Sequence, residues 1–252
     1  MKKVIARLKL DGNTRKQAIL CILALLVVVF ALWFLSNLSA HQRRATDDEE
    51  AARLSEMIRN AAESASPVQA ARGIAGNEDI VAYIEIPGTS IRYAVAHGAD
   101  NEFYLHHDLR RRPNENGSIF LDYLNSPDFT DRSTIIYGHN RQNGTKFYDL
   151  QLFQDLPFFE TNKQIFLRTM DDDLVYEVFA VFVTHINFQY IQVEFRDEDD
   201  FLELVHEMQR RSMHPSDVMI AGNDRILILS TCTGIGPTGR LVVVGRYMGL
   251  TL

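Results

Sequence analysis

The sequence predicts an all-β domain with helical additions, carried behind one apolar N-terminal helix. Three observations lead there. From Ile80 onward, short β-rich runs alternate with turn residues at fairly regular spacing, the pattern of a barrel or a sandwich. The uncharged run Ala18 to Leu35 would measure about 27 Å as a helix, close to the thickness of a bilayer core. Glu198–Arg211 starts with acids and ends with bases, matching the dipole of a long helix set among the strands.

Taken in order, the chain opens with Lys2, Lys3, Arg7, Lys9, Arg15 and Lys16 against one acid, Asp11. Arg43 and Arg44 follow the apolar run, and then come Asp47, Asp48, Glu49 and Glu50. The basic excess belongs on the cytoplasmic side, which places the remainder outside a single-pass membrane protein. A cleaved signal peptide ending at Leu38-Ser39-Ala40 is the rival reading. The run is long for a signal core and Leu38 is bulky for that position, so an uncleaved anchor is preferred. The expected division is a basic tail (1–17), a transmembrane helix (18–35), an extracellular helix and linker (36–78), and the main domain (79–252). Within the third part, Thr46–Ala65 reads as an amphipathic helix capped by Thr46 or Asp47, and Ser66–Glu78 as a polar linker.

The candidate strands are Val81–Ile86, Ser90–Val95, Ser118–Asp122, Ser133–His139, Gln164–Thr169, Leu174–Thr184, Ile226–Thr231 and Leu241–Tyr247. Pro87-Gly88, Asn116-Gly117 and Asn143-Gly144 supply turns between them. Asn101–His107 reads as a short helix. The acidic run Asp197–Asp200 is explained by a helix start without a metal, and adjacent His106 and His107 face different ways on a helix. No metal and no cofactor is expected. A net charge of −7 argues against a nucleic-acid partner.

Chemistry concentrates in Ile226–Arg246, ILILSTCTGIGPTGRLVVVGR. Of the two cysteines, Cys21 lies in the apolar run, so the main domain carries the single thiol Cys232 and cannot form an internal disulfide. Such a thiol is either a small buried hydrophobe or a nucleophile at a strand exit. As a nucleophile it needs a partner, since a free thiol is only a few per cent thiolate at neutral pH. His139 is the best candidate, at the end of the apolar run Ile135-Ile136-Tyr137-Gly138. Arg240, entering the next strand, is always charged and can stabilise an oxyanion; Arg246 is a weaker rival. Any one of the three alone reads as an ordinary strand-end residue.

Together with IPGTSIRYAV, ADNEFYLHHD, NGSIFLDYLNS, STIIYGHNRQNGTKFYDLQLF, LSTC and RLVVVGR, these residues resemble the sortases of Gram-positive bacteria, and within them class B. The resemblance covers nearly all of Ile80–Tyr247. It implies an eight-stranded sortase-type β-barrel, with N-terminal helices and a long helix between strands 6 and 7. It implies Cys232, His139 and Arg240 as the catalytic set, and Asn101, Leu105, Tyr190, Ile191 and Ser230 as candidates for the substrate groove. For Leu105, Tyr190 and Ile191, core packing is an equal alternative.

The implied activity is thiol transpeptidation. Exported proteins bearing a C-terminal sorting signal would be cleaved after Thr through a thioacyl-enzyme, and passed to a peptidoglycan-precursor or pilin amine. The loop Thr233–Gly239 is small and uncharged where relatives often carry charge, which leaves the leaving-group and acceptor preferences open. A cysteine hydrolase using water, and a non-catalytic membrane-tethered β domain that binds wall components, are the competing readings.

Overall fold

The computed structural model describes residues 12–62, 66–141, 143–185, 188–232 and 239–250. Lys2, Lys3, Arg7, Lys9 and Asp11 lie outside the described residues, as do the side chains of Arg15, Lys16, Arg43 and Arg44.

Strands β1 (Ile80–Glu85), β2 (Arg92–His97), β3 (Ile119–Leu121), β4 (Ser133–Tyr137), β5 (Gln164–Arg168), β6 (Asp173–His185), β7 (Ile226–Cys232) and β8 (Gly239–Leu250) close into a barrel in the order β1-β2-β3-β4-β7-β8-β6-β5. Neighbours run antiparallel except for β2 with β3 and β4 with β7. Closure leaves no free sheet edge. The two-residue period divides the strands between faces. Leu227, Leu229, Ile136, Val181 and Val243 fill the interior, whereas Ile226, Ile228, Ile135, Phe182 and Val244 face outward. β7 is therefore apolar on both sides, because a helix covers its outer face.

That helix is α4, Glu198–Arg211, inserted between β6 and β7 as expected. Asp197 caps it by accepting the Asp200 amide at 2.9 Å. Phe201, Leu204, Val205 and Met208, spaced for one helical face, are buried on the outward residues of β6, β7 and β8.

The chain forms two compact units, Met1–Asp47 and Asp48–Leu252. Helix α1 (Gly12–Ala61) runs through both. Its stretch Leu20–Ser39 has a mean hydropathy of 2.6 and exposed side chains throughout, long and apolar enough to cross a membrane as an anchor does. No helix begins at Thr46: its hydroxyl bonds back to the Gln42 carbonyl at 3.3 Å, continuing α1. In the second unit, Leu54 and Ile58 of α1 are buried against the barrel wall.

Several expectations are corrected. Ser66–Glu78 is not a linker throughout, since it contains α2 (Pro67–Ala75), with Pro67 in its first turn and Gly76 closing it at φ +66°. Its buried face is made of the small side chains Pro67, Val68, Ala71 and Ala75, a faint periodic signal. Asn101–His107 forms turns rather than a helix, because the Asp100 carboxylate takes the amides of Glu102 and Phe103 at 2.9 and 2.7 Å. A 3-10 segment, Tyr148–Gln154, and helix α3, Leu156–Thr161, add Leu150, Phe153 and Phe159 to the interior core. The glycines of all three expected turn dipeptides take positive φ.

Candidate active site

The register of three neighbouring strands sets the site. β4 and β7 pair in parallel up to Tyr137 opposite Ser230, and the Gly138 amide extends the ladder to the Ser230 carbonyl at 3.2 Å. β7 and β8 pair so that Cys232 stands opposite Arg240. His139, two residues past Tyr137, and Cys232, two residues past Ser230, thus reach the same level as Arg240. Positions 137, 230 and 242 belong to the outer face, and a period of two assigns 139 and 240 to it as well. The backbone of Cys232 is placed in this way; its thiol, and the loop at 233–238, lie outside the described residues.

Gly138 permits this arrangement. A Cβ there would come within 2.4 Å of Ile119 Cδ1 and 2.8 Å of the Phe147 ring, so the chain can pass this close to the core only without a side chain. Past it, the His139 carbonyl accepts the Phe147 amide at 3.0 Å and Asn140 bridges to Lys146. The imidazole is half-buried, with Nε2 2.8 Å from the Leu105 carbonyl. A carbonyl only accepts, so Nε2 carries the proton and Nδ1 is left as the base of the neutral ring. Burial holds His139 below the usual histidine range, and Arg141, His106 and Lys146 push the same way against the Leu105 bond.

Arg240 is half-buried and donates from Nη1 to the Gly239 carbonyl at 3.0 Å, and its charge acts on the Tyr137 hydroxyl. Arg246 stands opposite Ile226 at the far end of β7, bound to the Met219 carbonyl at 2.7 Å.

The proposed groove residues fall into two groups. Asn101 and Leu105 flank the β4 side. Asn101 is tied to Asp122 and to the Tyr123 amide, whereas Leu105 contributes its backbone carbonyl to His139. Tyr190 and Ser230 meet on the α4 side, hydroxyl to hydroxyl at 2.8 Å; both are buried, with Tyr190 packed in the apolar cluster under α4. Ile191, next to Tyr190, is 48% exposed. Groove and core readings therefore overlap at Tyr190 and separate at Ile191.

Sequence reasoning missed the supports. The segment carrying Leu105 is fastened by Tyr104, whose hydroxyl donates to Asp79 and accepts from Asn77 Nδ2, and by Arg112, which joins Asp108 to Glu50 of α1. Asp48 of α1 accepts from Asn116 in the same segment. Asp122 ends a predicted strand, and a carboxylate between Leu121 and Tyr123 in an apolar run is the signal that points to it. Among the described residues no group of three or more His, Cys, Asp or Glu could hold a metal ion.

Comparison with known proteins gives a match of residues 84–248 to the sortase domain. The chain is 36% identical over 174 residues to sortase B of Listeria monocytogenes, covering 68% of this chain and 71% of that one. Over the same length and shares it is 34% identical to sortase B of Staphylococcus aureus. The structure of the Staphylococcus aureus sortase B–substrate complex superposes with a TM-score of 0.71 at 30% identity, covering 84% of this chain and 99% of that chain.

Proposed function

The chain belongs to the sortase family, on its class B branch, whose members are cysteine transpeptidases; on that premise we propose that it cleaves a C-terminal sorting signal after threonine and passes the upstream protein to an amine. In this reading the Cys232 thiolate attacks the threonine carbonyl and Arg240 donates to the oxyanion. The carbon–nitrogen bond then breaks, and the departing amine takes its proton from His139. An amine of a peptidoglycan precursor, or a pilin lysine, opens the thioester, returning a proton to His139. The observation that carries the reading is the shared level of His139, Cys232 and Arg240 on β4, β7 and β8.

The Nε2 bond to Leu105 leaves Nδ1 for the proton transfers. Burial favours the neutral ring, which works against the imidazolium partner of a thiolate. Leu20–Ser39 anchors the enzyme with its N-terminus in the cytoplasm and its catalytic domain outside. Sorting substrate and lipid-linked acceptor then meet the site at one surface, at raised effective concentration.

The test is mass spectrometry of the detergent-solubilised chain with peptides of the LPxTG and NPxTN types, wild type beside Cys232→Ala, with and without a peptidoglycan-type amine. An acyl adduct on Cys232 that passes to the amine is the expected result. An adduct released only by water supports a hydrolase, and no adduct across a broad peptide set from a folded, alkylatable protein overturns the reading.

A further inference from the structure

Asp122 stands one residue beyond β3 and is 1% exposed. Leu121 points into the barrel and Phe120 outward, so position 122 shares the outer face with 120 and with the catalytic level. Its Oδ2 accepts from the Tyr137 hydroxyl at 2.8 Å and from Asn101 Nδ2 at 2.9 Å; its Oδ1 accepts the Leu124 amide at 2.9 Å. All three donors are neutral. A carboxylate kept in such a place is costly, and if only packing were required an amide would fill the same volume.

An amide, however, accepts at one atom and donates at the other, whereas an ionised carboxylate only accepts. Asp122 therefore fixes the direction of every bond that reaches it. The Tyr137 proton points at Asp122, leaving the phenol oxygen as an acceptor on its other side, within electrostatic reach of Arg240. The Asn101 amide is held at both ends, its Nδ2 on Asp122 and its Oδ1 taking the Tyr123 amide at 3.0 Å. Each of these two Asn101 atoms has valence for one further hydrogen bond, the pattern that reads a peptide backbone.

We propose that Asp122 is a positioning residue of the acyl-transfer site: as an acceptor-only node it sets the hydrogen-bond polarity of Asn101 and Tyr137, so that both meet the sorting peptide with fixed donors and acceptors. The inference rests on the transpeptidase reading above.

The experiment uses the full chain in detergent micelles on a Cys21→Ser background, so that only Cys232 reacts with thiol reagents. Asp122→Asn, Tyr137→Phe and the double variant are compared by thermal unfolding, by the pH profile of iodoacetamide alkylation at Cys232, and by KM and kcat for peptide turnover. The expected result is a KM raised about tenfold in each single variant, the size of one lost hydrogen bond to a charged group, with an unshifted alkylation profile. The double variant should be no worse than the weaker single one, because both act through one node.

Additive losses, an unchanged KM, or an alkylation profile displaced along with turnover would overturn the assignment. If Asp122→Asn does not fold, Tyr137→Phe and Asn101→Ala decide: non-additive losses support the node and additive losses sink it. A wild type that alkylates normally but turns over no peptide brings down the functional reading itself, a failure visible before any variant is compared.

Discussion

Helices cover the barrel wall on either side of the level shared by His139, Cys232 and Arg240, and the two covers are held by different forces. On the α4 side the contact is apolar, with Phe201, Leu204, Val205 and Met208 set on Phe182, Ile228 and Val244. On the N-terminal side the apolar contact is made by Leu54, Ile58, Val68, Ala71 and Ala75, smaller on average. There the polar ties from Asp48 and Glu50 reach the segment that carries Leu105. The α4 cover thus stabilises the fold, and the N-terminal cover also sets the orientation of His139.

The largest test of this contrast is Phe201→Ala. Emptying that site should cost ~3–5 kcal/mol in urea unfolding, unchanged by added salt. An equal loss from Leu54→Ala would abolish the contrast. Next comes Gly117→Ala. Gly117 has φ +55°, and a Cβ there would lie 2.5 Å from the Leu105 carbonyl oxygen and 2.8 Å from that of Tyr104. The strain should cost about 1–3 kcal/mol. Since the Leu105 carbonyl must move, peptide turnover should fall further than the folded fraction does, and turnover that merely tracks folding would show that the carbonyl is not needed.

Glu50→Gln should cost about 0.5–1 kcal/mol at low salt, in keeping with a half-exposed pair, and nothing in ~1 M NaCl. A salt-independent loss would mean that the tie acts by packing. The smallest expected effect is a pH dependence. With its folded pKa held below the unfolded value, His139 contributes stability that is fully present above pH ~6.5 and lost as pH falls through the depressed value. NMR titration of the ring in Cys232→Ala should give a midpoint below ~6.5, and His139→Gln should flatten the acid side of the stability curve; a midpoint above that would overturn the burial argument.

The sequence carried the strands and α4 clearly because their signals are local: alternation, turn glycines and a charge-graded helix. It hid α2, whose buried face is made of small residues, and it suggested a helix start at Thr46 where α1 runs straight through. Cys232, His139 and Arg240 were each legible as strand-end residues. Their common level was not, because it depends on the parallel register of β4 with β7, which no local pattern specifies. The Leu105 carbonyl is a backbone group and leaves no mark on residue choice. Asp122 is polar in a strand-like run, but only the pairing of β3 with β4 shows which neighbours its charge commands.

The parallel pairing of β4 with β7 also has a kinetic meaning. Parallel strands distant in sequence close slowly, because the entropy of the intervening loop is lost before the contacts form. Until that seam zips, Cys232 stands opposite Arg240 on β8 but has no His139 at its level. On the proposed mechanism, a partly folded chain, or one opened locally at this seam, therefore lacks the base that would ionise the thiol. Completion of the fold would then act as the safety catch on the proposed nucleophile.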